Sequence, residues 1–218
     1  MRAIKRSILS GSLVLLIAVL CPLRAEDEPG IRLGIKAGPC FSTVRWSMPM
    51  LEGSVSGTET HRKLTVGFLA EIGLSPRFAV QPELDFLTTV RTWTPPLGQG
   101  IFTDTLQYLQ VPILFKMKLT RGGWVVPAVF AGPCLSVLLK ARDTFYDVFT
   151  GQYYYADIKD LYRDFDLGAA AGAEVNVKVR NLRLILDVRY YMGLIDVERA
   201  ADSSWKNSGL MITAGLGF

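Results

Sequence analysis

The chain has 218 residues, with 24 Lys and Arg against 20 Asp and Glu for a formal net charge of +4, and half of it is hydrophobic (50%). Its basic residues are scattered among acidic ones, which argues against a nucleic-acid surface, and its length suits a single domain. Mean hydropathy is +0.26, yet beyond the N-terminal segment no apolar run is long enough for a membrane helix; the nearest, 125–139, is interrupted by Pro127, Gly132 and Pro133.

The N-terminal segment carries Arg2, Lys5 and Arg6, then an apolar run over 8–20, then the small residue Ala25. That is the order of a secretory signal peptide, so residues 1–25 are expected to be removed before Glu26, leaving 26–218 as one domain. The alternative is a lipoprotein signal with Cys21 lipidated, against which stands Leu20, bulky where such sites take a small side chain. A retained anchor is disfavoured, because the run falls short of the roughly 18 to 20 residues that cross hydrocarbon.

From residue 31 onward, nearly every segment alternates with the period of two that belongs to strands. The pattern predicts strands at 31–46, 63–74, 78–92, 105–119, 124–142, 165–179, 182–191 and 209–218. These number about eight, the fewest that close a membrane barrel. In 165–179, Phe165, Leu167, Ala169, Ala171, Ala173, Val175, Val177 and Val179 take one face, and Asp166, Gly168, Ala170, Gly172, Glu174, Asn176 and Lys178 the other. A helix would mix the two sets. The next segment repeats the alternation after only Arg180 and Asn181, so the pair forms a hairpin. Connections at 75–77, 120–123 and 180–181 are short, and those at 47–62, 93–102, 143–161 and 198–206 are long. An up-and-down barrel would gather the short turns at one end and the long loops at the other, as outer-membrane barrels do. The expected fold is all-β: an antiparallel up-and-down transmembrane β-barrel of about eight strands in a bacterial outer membrane.

Alternation alone does not say which face is outside, since a soluble lipocalin-like barrel would turn its apolar stripe inward around a lipid. Three features favour lipid outside. The polar stripe interleaves Glu71, Glu83, Asp85, Lys116, Glu174, Arg183, Asp187 and Arg189 with Gly67, Gly73, Gly168, Gly172, Gly215 and Gly217, which suits a crowded lumen. The short and long connections are systematically sorted. Finally, Leu210, Ile212, Ala214, Leu216 and Phe218 share one face, an ending that resembles the signal read by the barrel-assembly machinery. Pro82, Pro112, Pro127 and Pro133 fall inside these strands, where a closed barrel offers no free edge, and β-bulges are the expected accommodation. Cys40 and Cys134 end the matching phrases Gly38-Pro39-Cys40 and Gly132-Pro133-Cys134. A disulfide between them is one reading; the other, preferred because opposite sides of a barrel lie farther apart than the roughly 4.4 to 6.8 Å a bridge allows between α-carbons, is two free lumen-facing thiols.

Several phrases resemble the PorT-type outer-membrane β-barrel family. They are Gly34-Ile35-Lys36-Ala37-Gly38, Gln81-Pro82-Glu83-Leu84, Tyr108-Leu109-Gln110-Val111-Pro112-Ile113-Leu114-Phe115-Lys116 and Ala131-Gly132-Pro133 with Leu135-Ser136. Asp164-Phe165-Asp166-Leu167-Gly168, Leu186-Asp187-Val188-Arg189-Tyr190 and Gly215-Leu216-Gly217-Phe218 follow. The Tyr-Leu-Gln-x-Pro segment is the most specific, and together the phrases span nearly all of the chain after residue 25. The resemblance implies an outer-membrane barrel with prolines in its strands. It implies no reaction, and Cys40 and Cys134 stand where such phrases more usually carry polar or aromatic residues.

Three groups of residues could carry function. His61, the only histidine, has Glu52, Ser54, Ser56 and Glu59 nearby, so a lipid-modifying site is one reading and a solvated loop histidine the other. The charged lumen stripe could form a narrow channel for small solutes, but in so narrow a barrel acids and bases meet and pair, so a packed polar interior is preferred. The third long connection holds Phe145, Tyr146, Phe149, Tyr153, Tyr154, Tyr155 and Tyr162 around Thr150-Gly151, either a surface for an extracellular protein or glycan or an aromatic anchor at the interface. Arg77, Arg121 and Arg180 read as ordinary turn polarity, with periplasmic contacts as the alternative. The expected partners are outer-membrane lipid and, through the strand ending at Phe218, the assembly machinery; the chain is expected to be a monomer without a cofactor.

Overall fold

The computed structural model describes residues 30–50, 53–93, 100–199 and 204–218, so the expected signal peptide lies outside the described residues. The strands are β1 (Ile31–Met50), β2 (Gly53–Gly73), β3 (Phe78–Trp93), β4 (Gly100–Lys118), β5 (Val125–Asp147), β6 (Tyr153–Asp157), β7 (Phe165–Val179), β8 (Leu182–Gly193) and β9 (Ser204–Gly217). Eight of them close a ring in the order β1-β2-β3-β4-β5-β7-β8-β9, with β9 returning to β1 and every pair antiparallel. Among the described residues, short β6 pairs only with the far end of β5, outside the ring.

Burial follows the two-residue period. In β8, Leu182, Leu184, Leu186, Val188 and Tyr190 are exposed while Ile185, Asp187, Arg189 and Tyr191 are buried. On β4, Phe115 is 61% exposed and its neighbour Lys116 only 2%. That inverts a water-soluble protein and is what an outer solvent of acyl chains dictates.

Several strands run past the predicted boundaries. β1 and β2 stay paired up to Met50 opposite Gly53, so the expected loop 47–62 is largely a hairpin. β4 begins at Gly100, and β5 and β6 form a second hairpin where the loop 143–161 was expected. Apolar alternation stops where lipid stops, but the need to pair backbone N–H and C=O groups does not, so the ladders continue into water.

The prolines are accommodated differently from expectation. The register shift between β4 and β5 falls between Gln107 and Tyr108, opposite an extra residue in β5, and not at a proline. Pro82 pairs with Ile113 of β4 and leaves a gap toward β2; Pro112 pairs with Cys134 and leaves its gap toward β3. Pro133 pairs with Ala169 of β7 and opens toward β4, and Pro39 pairs with Leu64 and opens toward β9. Each missing N–H thus interrupts one ladder locally, without a bulge, because the other ladder holds the register. At Gly38 and Gly132, just before two of these prolines, an added Cβ would fall on the carbonyl oxygens of Ile212 and Ile113. The repeated Gly-Pro-Cys phrase is therefore one local device used twice: glycine admits the neighbouring strand and the following cysteine points inward. Both thiols are free and buried, as expected.

The interior holds more than the polar stripe. Cys40, Leu87, Leu106, Tyr108, Leu114, Phe130, Cys134, Leu138, Tyr191 and Met211 are buried in one apolar cluster. Facing outward is therefore not a property of every greasy residue: an apolar layer lies inside the barrel beside the ionic stripe.

Candidate functional site

Two ionic clusters cross the barrel. In the first, Lys36 Nζ of β1 meets Glu83 Oε2 of β3 at 2.5 Å, with Asp187 Oδ2 at 3.6 Å and Asp85 Oδ1 at 3.8 Å. Arg189 of β8 reaches across to Glu83 with Nη1 at 2.6 Å and Nη2 at 2.9 Å, and also pairs with Asp187 on its own strand. Its guanidinium lies 5.0 Å from the Phe130 ring centroid. In the second cluster, Lys116 Nζ bridges Glu71 at 2.9 Å and Glu174 at 2.7 Å, Lys118 and Arg32 also hold Glu71, and Asn176 donates to Glu174 at 2.5 Å. Counted together, the cations Lys36, Arg189, Lys116, Lys118 and Arg32 balance the carboxylates of Glu83, Asp85, Asp187, Glu71 and Glu174. Buried charges persist only when paired in this way. The glycines make the room: a Cβ on Gly67 would strike Asp85, and one on Gly172 would strike Phe130.

Of the predicted stripe, Glu71, Glu83, Asp85, Lys116, Glu174, Asp187 and Arg189 come together in these clusters. Arg183 shares their face but stands half-buried at the short-turn end of β8. Lys36, Lys118 and Arg32 were missed, although Lys36 falls on the same parity as Cys40 and was legible there. At the long-loop end, Arg91 of β3 donates to Asp104 of β4 at 2.6 Å, and Tyr162 O–H donates to the same carboxylate at 3.5 Å. Tyr162, expected on the surface, is instead 2% exposed and folds into the mouth beside Val197; burial pushes its phenol up, so it stays a donor. No local signal marks Tyr162, since its partner lies in a distant strand.

Beyond the mouth, β4, β5 and β6 continue as a three-stranded sheet. Phe102, Phe145 and Tyr154 align on one face, with centroids 4.5 Å and 6.1 Å apart. Ile101, Tyr146 and Tyr153 align on the other, where the two tyrosine rings are 4.8 Å apart and Tyr155 lies next along β6 with Arg142 5.7 Å from its centroid. The hairpin turns at Gly151, with φ +69°, and Asp147 Oδ1 accepts the N–H of Phe149 at 2.8 Å, which holds that carboxyl below its usual range. All of β6 is exposed, and Phe149 is exposed at the tip. Thus Phe145, Tyr146, Tyr153, Tyr154 and Tyr155 share one sheet in place of the expected loop, and Phe149 sits in its turn.

His61 lies within β2, half-buried, opposite Ser42, whose Oγ donates to the His61 carbonyl at 3.3 Å. The side chains of Glu52, Ser54, Ser56 and Glu59 fall outside the described residues. Among the described residues no cluster of His, Cys, Asp and Glu has the arrangement of a metal site.

A closed eight-stranded ring with a lipid-facing apolar surface and a paired ionic interior defines a transmembrane β-barrel. Residues 25–199 match the model of the outer membrane protein beta-barrel domain, and the chain belongs to that family. Its place is the bacterial outer membrane. Among solved structures, it is similar to Ail of Yersinia pestis, crystallised with the heparin analogue sucrose octasulfate, at 15% identity and a TM-score of 0.43, over 86% of this chain and 99% of that one. Neisserial surface protein A is similar at 14% identity and 0.45, over 86% and 95%. OprG from Pseudomonas aeruginosa is similar at 10% and 0.47, over 88% and 98%. No curated protein matches.

Proposed function

We propose that this barrel is a surface-interaction protein that does not conduct, binding an extracellular protein or glycan through the β4-β5-β6 sheet. The observation that carries this reading is the sheet itself: a paired ladder that sets Tyr146, Tyr153 and Tyr155 on one outward face. Tyrosine offers broad contact area at low entropic cost, and a strand-mounted face loses less freedom on binding than a loop. The crossing ion pairs support the closed interior against the channel reading, since a permeating ion would have to break them. We place no reaction at His61. The same proposal includes export by the segment 1–25, assembly through the strand ending at Phe218, a monomeric state and, from the order of its phrases, a place among PorT-type barrels.

The test uses the full-length mature barrel in nanodiscs, applied to arrays of matrix proteins and glycans. Tyr153→Ala with Tyr155→Ala should remove the captured signal while leaving heat-modifiable gel mobility intact. Binding that survives the double substitution, or step-wise current in a planar bilayer, would refute the reading.

A further inference from the structure

A pocket of about 530 Å³ opens at the outer rim, apart from both the lumen clusters and the aromatic sheet, lined by Arg163, Asp164, Phe165, Ile195 and Arg199. Paired backbone holds its walls: Arg163 N–H donates to the Val197 carbonyl at 2.7 Å and Arg199 N–H to the Leu161 carbonyl at 2.9 Å, around the bridge between Tyr162 and Glu198. Tyr162 and Val197, which lie between these paired segments, are buried in the mouth.

The pocket has two chemical halves. Arg199 donates from Nε to the Tyr162 carbonyl at 2.8 Å and from Nη2 to Asp164 at 3.2 Å, so its planar fork is held in position. Arg163 is exposed, and its guanidinium has no partner among the described residues. Two arginines against one carboxylate leave the lining with a net positive charge. The other half is apolar: Phe165, at 56% exposure, begins the lipid-facing row of β7 that continues into Leu167, with Leu194 beside it. The cations therefore stand just beyond the acyl band, at the depth of lipid head groups.

We propose that this pocket binds the phosphate of a phosphorylated outer-leaflet lipid. Arg163 and Arg199 grip the head group, and an acyl chain lies along Phe165 and Leu167. Guanidinium forks match phosphate geometry, and basic pockets at the membrane surface are suited to such head groups. The apolar half distinguishes a lipid from a soluble anion.

The test titrates the intact barrel in neutral detergent with bisphosphorylated lipid A, counting bound lipid by native mass spectrometry. Arg163→Gln, which removes no side-chain hydrogen bond or ion pair among the described residues, should weaken binding about tenfold, and Arg163→Gln with Arg199→Gln should weaken it further. Dephosphorylated lipid A should bind no better to the wild type than to the variants. Wild-type affinity in Arg163→Gln, or equal binding of dephosphorylated lipid, would overturn the assignment. Displacement by millimolar inorganic phosphate would also overturn it, in favour of a soluble-anion site.

Discussion

Arg189 gives the sharpest test of the interior. Its guanidinium is 1% exposed, holds both carboxylate oxygens of Glu83 from across the barrel, and pairs with Asp187. Replacing it with Met keeps an apolar stem of similar length and removes the guanidinium with its charge and its donors, so the loss is mainly ionic. Three carboxylates, Glu83, Asp85 and Asp187, would then face Lys36 alone. Charge-assisted hydrogen bonds contribute about 1.5 to 3 kcal/mol each, and breaking a buried pair by removing one partner costs about 3 to 5 kcal/mol. Arg189→Met should therefore destabilise the barrel by about 3 to 5 kcal/mol. The measurement is the urea midpoint for reversible folding into vesicles, read by gel mobility at neutral pH. Adding Glu83→Gln and Asp187→Asn should recover more than half of the loss, because the uncompensated charges go with them. A cost of under about 1 kcal/mol for Arg189→Met, far below that of breaking a buried pair, would refute the network as drawn.

Facing is tested by Ala171→Arg, which sets a charge against lipid at mid-depth and should cost about 2 to 4 kcal/mol in the same assay. Asn176→Ala, directed inward, should cost about 1 kcal/mol through the lost donation to Glu174, and a reversed order would mean that the faces are swapped. Gly132→Val should cost at least about 1 to 3 kcal/mol, since its Cβ falls on the Ile113 carbonyl, with the strand shift visible as lost amide protection on β4. Cys40 and Cys134 should resist a maleimide in the folded barrel and react in urea; a disulfide in the mature protein would contradict the geometry.

The eight ring strands were legible because lipid constrains every second residue along each of them, so a local period carries the fold. The alternation is reproduced in burial from Phe165 to Asn176, and fades only at the turn end of the strand. Where that constraint lapses, the reading failed. The hairpins above the membrane carry no apolar period, and β6 was taken as loop although its backbone is fully laddered to β5.

The amino-acid order alone settled the architecture, the outward face and the inward placement of most ionic residues, since these depend on neighbours a few positions apart. Which charges meet was decided only by closure of the ring: Arg189 and Glu83 are 106 positions apart and come within 2.6 Å because their strands lie opposite one another. The inward turn of Tyr162, the apolar layer around Leu106 and Leu138, and the rim pocket at Arg163 follow from the same cause. Contacts across a barrel are set by strand order and stagger, and no single strand contains them.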